Sequence, residues 1–334
     1  MKAIVLTAFG SADNFVAADL PMPHVRKGDI RIRVKAASFN PVDYQIRIGH
    51  PESSHTRSMI LGRDLSGIVD ATHDDITDFK MGDEVFSYVC NLASSGTYAE
   101  YVSVPAELVA RKPASLTHEQ AAAVPVAGVT AALALSKARI DETRSLFIAG
   151  GAGGVGSSAI QQARQLGIRN LITTSGSAKS RAYLSEQCGL NGDQIVDYKD
   201  QDFAALAVKR NGGLFDAVLD LVGGRMLSAC CALLAVDGNL VSVTEAPSRD
   251  DFEILFEKNA SFHPIGAHAY SLVSDRVTWW KYREMLEKLA RLYDTGALAP
   301  PPVKILGDLS PDVVKQAHAL MENNAVQGKL VMRC

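Results

Sequence analysis

The chain has 334 residues, too many for one compact core, and its length points to two domains. Hydrophobic residues make up 47% and charged residues 21%, the balance of a globular protein. A net charge of −3 without any Lys/Arg run removes the footprint of a nucleic-acid binder, and no stretch of about 18 apolar residues is present to span a membrane.

In chain order, MKAIVLTAFG reads as a first β-strand, because its apolar run is too short for a secretory signal. RIRVKAASF alternates up to Ala36, the pattern of a half-buried strand. LSGIVDA and DEVFSYV are further β-rich runs, separated by turns such as Met81-Gly82-Asp83. Thr117 with Gln120 fits a capping box ahead of an Ala-rich helix. The next strand, SLFIAG, leads into GAGGVGSSAIQQARQLG, where Val155, Ala159, Ala163 and Leu166 share helical spacing and Gly167 suits the helix end. NLITT, FDAVLDLVG and GNLVSV are strands, and AKSRAYLSEQCG is a helix ending at Gly189. Strands alternating with helices specify an α/β architecture, a parallel sheet wrapped by helices.

After about residue 265 the pattern changes. VTWWKYREMLEKLARLYDTG is an amphipathic helix, in which Trp279 and Trp280 serve packing rather than a ligand. APPPVKIL leads to an edge strand, SPDVVKQAHALMENN is a helix capped by Ser310 with Pro311 in its first turn, and GKLVMR is a closing strand. The five cysteines, Cys90, Cys188, Cys230, Cys231 and Cys334, form no C-x-x-C pair. That argues against a disulfide framework and for a reducing, cytoplasmic location. Cys230 and Cys231 lie in the apolar run SACCALLAV and read as small buried residues.

Gly151-Ala152-Gly153-Gly154-Val155-Gly156 is a G-x-G-x-x-G loop between a strand and a helix, the context in which such a loop cradles a dinucleotide pyrophosphate on backbone N–H groups. NAD-preferring sites carry an acid at the end of the following strand to hold the ribose hydroxyls. Here that strand runs into Ser175-Gly176-Ser177-Ala178-Lys179, with no acid to repel a 2′-phosphate. Lys179 and Arg181 offer cationic donors to it, so NADPH is the expected cofactor.

With this loop set in a late βαβ region, the chain resembles the medium-chain dehydrogenase/reductase superfamily, and within it the zinc-independent quinone oxidoreductases. The motifs that carry the resemblance cover nearly the whole chain: Asn40-Pro41-Val42-Asp43, Gly62-Arg63-Asp64-Leu65-Ser66-Gly67, Phe79-Lys80-Met81-Gly82-Asp83-Glu84-Val85, Gly96-Thr97-Tyr98-Ala99-Glu100-Tyr101, Pro125 to Ala131, the glycine loop, Val196-Asp197-Tyr198, Asp216 to Gly223 and Gly328-Lys329-Leu330-Val331. The resemblance implies a GroES-like β-rich catalytic domain from both chain ends (1–124 and 265–334), a Rossmann doubly wound parallel-sheet domain between them (125–264), and an active site in the cleft. It implies that Tyr198 and Lys179 approach the adenosine phosphate near Ser175. Thr130 and the backbone around Val243 and Gly266 would lie near the nicotinamide, and Val222 is a further cofactor-binding position. Asn324 falls where related quinone reductases carry an arginine near the cofactor, which weakens the grip on the 2′-phosphate. The family's habit is a homodimer joined through Rossmann sheet edges, here through the strand after Gly238 or near His263.

Zinc members place Cys where Asn40 stands and His-Glu where Arg63-Asp64 stand. An amide is a poor zinc ligand and a guanidinium repels metal, so no metal site is expected. Without a Lewis acid, alkoxide formation is hard, whereas a quinone or an activated enone accepts hydride at carbon and spreads charge onto oxygen. Asn40, Tyr44 and Arg63 are the candidate donors to that oxygen. Read as structure alone, Asn40 before Pro41 shapes a turn and Asp43 accepts a bond from Arg47. His50, His55 and His268 are acids by residue type, but isolated histidines more often serve packing, and solvent can supply the proton. The alternatives are an NADPH-dependent enoyl-thioester reductase and a non-catalytic, crystallin-like NADPH-binding protein.

Overall fold

The computed structural model describes residues 1–90, 95–272, 276–323, 326 and 328–334. They form two compact units, Met1–Val126 with His268–Cys334, and Ala127–Ala267.

The first unit is built on a seven-stranded sheet. Its order is Val303–Asp308, Lys329–Arg333, Asp29–Ser38, Asp64–Thr72, Glu84–Tyr88, Val109–Arg111, with Tyr101–Pro105 also paired to Asp29–Ser38. Lys2–Leu6 and Phe15–Asp19 make a separate two-stranded ribbon. The alternation read from RIRVKAASF holds: Ile30, Ile32 and Val34 enter the core, and from Ala36 the strand is buried on both faces. The run APPPVKIL does end in an edge strand. Register then gathers strand ends. Ser38 lies opposite Asp64, Val331 opposite Ser38, and Tyr88 opposite Asp64.

In the second unit six parallel strands, Leu146–Ala149, Leu171–Ser175, Ile195–Asp197, Phe215–Asp220, Leu234–Ser242 and Ser261–Pro264, are arranged 3-2-1-4-5-6 by their order in the unit. This is the doubly wound arrangement that binds dinucleotides. Leu146 and Ile148 feed one apolar cluster while Phe147 and Ala149 feed another, so the central strand is buried on both faces. Truncating Ile148 to Ala would cost about 2–5 kcal/mol.

Leu234–Ser242, the strand containing Gly238, is interior, with neighbours on both sides. It therefore cannot pair with another copy, and Ser261–Pro264 is the edge that remains of the two named. Cys230 and Cys231 are fully buried, on a helix (Arg225–Leu233). Trp279 is buried and stacked by Arg276, whereas Trp280 at the helix start is half exposed. Among the described residues no helix is long and apolar enough to cross a membrane.

Candidate functional site

The strand Leu146–Ala149 delivers the chain to Gly150, whose φ of +83° is open to glycine and strained for other residues. A Cβ on Gly151 would strike Thr173, and one on Gly156 would strike the Gly150 carbonyl, so strand and helix approach too closely for any side chain there. Gly153 differs. It is exposed, and a Cβ there would meet only the Gly150 oxygen at 3.3 Å. Gly153 caps the helix Gly154–Gln165, so the first-turn amides of Gly154, Val155 and Gly156 have no intrahelical acceptor. Open amides at a positive helix end, with space above Gly153, make a cradle for a pyrophosphate.

Ser175 ends the adjacent strand, buried, with its hydroxyl 2.6 Å from Ser180 Oγ. Ser177 caps the helix Ala178–Glu186, which leaves Lys179 exposed in its first turn. The Tyr198 ring lies where a Cβ on Gly176 would project, and is 48% exposed, so it can still face a ligand. Arg181, expected beside Lys179 as a second cation for the phosphate, instead donates Nη1 to the Ile195 carbonyl at 3.1 Å. Asp197 lies opposite Ser175 and accepts from the Lys199 amide at 3.0 Å.

Asp220 was not singled out from the sequence, although it is the carboxylate that closes the strand Phe215–Asp220. It is fully buried. Oδ1 accepts from the amides of Val222 (3.1 Å) and Gly223 (3.0 Å), and Oδ2 from Ser242 Oγ (2.9 Å) and Thr244 Oγ1 (2.8 Å). It thus ties the loop of Val222 to that of Val243, both at C-terminal strand ends, where open α/β sheets take ligands. Val222 is 52% exposed there. Thr130 is buried on the helix Pro125–Ala138, and Gly266 is exposed after the last strand. Asn324 lies outside the described residues.

In the first unit the gathered strand ends form a buried charge cluster. Asp64 Oδ2 accepts from Ser38 Oγ (2.8 Å), Asn40 Nδ2 (2.9 Å) and Lys329 Nζ (3.2 Å), and Oδ1 from the Val126 amide (2.8 Å). Lys329 also donates to Asn40 Oδ1 (2.5 Å) and the Phe39 carbonyl (3.2 Å). Each buried charge, worth several kcal/mol of desolvation, is thereby paired and hydrogen-bonded. The Asn40 amide is fixed in one orientation, with one N–H committed to Asp64. Neither Lys329 nor Asp64 was a site candidate; each opens a strand that carries a second charge of the same sign, Arg333 and Asp70, so neither stands out in the sequence.

Asn40 does more than shape a turn. It caps the helix Pro41–Arg47, and Asp43 Oδ2 accepts its amide at 2.8 Å. Burial pushes the Asp43 carboxyl up to about 7; the Arg63 charge and the Asn40 bond oppose that rise, and Asp64 adds to it. The expected Arg47–Asp43 bond is not formed. Arg47 turns instead to the helix Pro311–Glu322, donating to His318 Nδ1 (3.2 Å), Glu322 and the Gly10 carbonyl. Burial, with the Arg47 charge, holds His318 down at about 3. Tyr44 is half-buried against the core, and His50 and His55 are exposed.

Arg63 is 3% exposed. Nη1 donates to Tyr88 Oη (3.2 Å) and Nη2 to Glu52 Oε2 (2.6 Å), leaving Nε without an acceptor. Glu52 Oε1 lies 2.5 Å from His268 Nδ1. Burial alone would raise the Glu52 carboxyl, but His268 and Arg63 together hold it below the usual range. Burial raises the Tyr88 phenol well above its ordinary value. Among the described residues no three of His, Cys, Asp and Glu are gathered as a metal would require. Cys90, also buried, accepts from Ser271 Oγ at 2.9 Å.

Residues 26–114 match the alcohol dehydrogenase GroES-like domain and residues 190–332 the family described as zinc-binding dehydrogenase. The solved quinone oxidoreductase of Coxiella burnetii superposes with a TM-score of 0.83 at 31% identity, covering 100% of this chain and 99% of that one. The chain belongs to the medium-chain dehydrogenase/reductase superfamily. Within that superfamily it is also similar to the 2-methylene-furan-3-one reductase of Solanum lycopersicum, 29% identical over 99% of this chain and 79% of the relative. A mycobacterial protein solved in complex with NADPH superposes with a TM-score of 0.84 at 27% identity, covering 100% of both chains. The two units accordingly take the GroES-like and Rossmann architectures of the superfamily.

Proposed function

We propose that this chain uses NADPH, without zinc, to reduce a quinone or an activated enone. The observation that carries the reading is the buried cluster at Asn40, Arg63 and Asp64. Two cations, Arg63 and Lys329, lie there, and every Asp64 oxygen is already engaged. A dication does not fit there, because both cations repel it and Asp64 has no oxygen left to offer. Relatives that reduce quinones and furanone-type enones agree with that chemistry.

The glycine cradle of Gly151, Gly153, Gly154, Val155 and Gly156 would hold the pyrophosphate. Ser175, Lys179 and Tyr198 would hold the adenosine phosphate. Thr130, Val222, Val243 and Gly266 would flank the nicotinamide, which supplies hydride when bound. As negative charge gathers on the substrate oxygen, the remaining Asn40 N–H and the Tyr44 hydroxyl are the donors that meet it, with the Arg63 charge buried behind them. The reading includes a cytoplasmic homodimer joined at the edge strand Ser261–Pro264.

Its test is NADPH oxidation by purified protein with phenanthrenequinone and with a cyclohexenone, NADH run in parallel. Turnover favouring NADPH is expected. Tight NADPH binding with no turnover of either acceptor overturns the reductase reading.

A further inference from the structure

Four side chains from separate parts of the sequence form one polar chain inside the first unit: Tyr88, Arg63, Glu52 and His268. Its inner end is buried, with Tyr88 1% and Arg63 3% exposed. Its outer end is open, since the His268 side chain keeps 21% of its surface. A buried guanidinium needs one carboxylate, and Glu52 Oε2 supplies it. The second oxygen of Glu52 is spent differently, on an imidazole that water reaches.

Resting on the reductase reading above, we infer that His268 is the proton donor to an enone substrate, with Glu52 and Arg63 as its positioning residues. Glu52 faces Nδ1, so that nitrogen keeps its hydrogen toward the carboxylate and Nε2 is the nitrogen that exchanges protons. Among the described residues none hydrogen-bonds Nε2. Arg63 pins the other Glu52 oxygen at 2.6 Å, so the carboxylate cannot turn away. The charged and titratable neighbours are Glu52 beside His268, and Asp43, Tyr88 and Cys90 around Arg63, with Tyr282 close to both Cys90 and Arg63. Within the first unit His268 is joined through Glu52 to Arg63.

Hydride from the reduced cofactor carries two electrons to the β-carbon, and the π pair of the C=C bond moves to form an enolate. The α-carbon takes the proton from Nε2: the N–H bond breaks, a C–H bond forms, and the imidazolium becomes neutral imidazole with its remaining hydrogen toward Glu52. Water recharges it through the exposed edge. Quinone reduction ends in protons on oxygen, which exchange freely with solvent, so it leans on this donor far less.

The experiment compares wild type with His268→Gln on an α-methylated cyclohexenone and on phenanthrenequinone, reading rate and the handedness of the saturated ketone. Wild type is expected to give one enantiomer. The variant is expected to lose about 100-fold in kcat on the enone, give a mixture of enantiomers, and fall much less on the quinone. Nitrogen NMR of the cofactor-free enzyme adds a readout independent of turnover: neutral His268 carries its hydrogen on Nδ1, and loses that preference in Glu52→Gln. An unchanged enone rate and enantiomer in His268→Gln overturns the inference and leaves the reductase reading standing. So does a wild type that reduces the quinone and no enone. Failure of wild type with both acceptors overturns the reductase reading itself, and a neutral His268 with its hydrogen on Nε2 removes the geometry on which the inference rests.

Discussion

In the loop from Gly151 to Gly156 the groups left without an intrahelical acceptor are backbone amides, and every residue that matters falls within six positions. Around Asp64 the working groups are side chains, drawn from Ser38, Asn40 and Lys329, the last 265 residues away. The first region depends on what is missing, since a Cβ at Gly151 or Gly156 has nowhere to go. The second depends on charge balance, since removing one partner strands another ion in a dry interior. A backbone site fails by steric intrusion and a side-chain site by electrostatic imbalance.

The largest effect should come from breaking that balance. Lys329→Met should lower stability by about 3–5 kcal/mol, because Asp64 is left buried and uncompensated. The double variant Lys329→Met with Asp64→Asn should recover part of the loss in denaturant melts. A cost under about 1 kcal/mol would mean that charge does not hold the cluster.

Gly156→Ala attacks the other region. Overpacking against the Gly150 carbonyl should cost about 1–3 kcal/mol and weaken NADPH binding, read by calorimetry. Ala at the open Gly153 should leave stability closer to wild type, and equal losses at the two positions would erase the distinction drawn between them.

Asp43 sharpens the comparison through pH. Folded Asp43 holds its proton up to about 7, whereas the unfolded residue releases it near 4. Between those values the folded state binds more protons, so wild type loses stability as pH rises from about 4 to about 7. Asp43→Asn removes that loss. The variant's stability relative to wild type should grow across this window by up to about 4 kcal/mol and then level off. A difference that does not change with pH would place the Asp43 carboxyl in an ordinary environment. The smallest effect belongs to the exposed Lys179. Lys179→Ala should weaken NADPH about tenfold and leave NADH nearly unchanged. Equal losses with both would remove its role at the 2′-phosphate.

The same contrast explains what could be read from the sequence. The glycine loop, the Thr117–Gln120 capping box and the Ser310–Pro311 helix start are local patterns, and the structure forms all three. The helices Phe203–Asn211 and Arg249–Glu257 were missed, although Ser248 and Asp251 form a capping box that marked the second. The charge cluster was illegible for another reason. Arg47 was paired by proximity with Asp43, yet its carboxylate partner, Glu322, is 275 residues away, and nothing local indicates such a contact. Glu52 and His268 likewise meet only after the chain has folded.

Whether hydride reaches its acceptor without metal is tested by turnover with NADPH and phenanthrenequinone before and after exhaustive chelation, with metal content measured on the same sample. Full activity at substoichiometric metal is the predicted result. Activity that disappears on chelation and returns with added zinc would contradict the account.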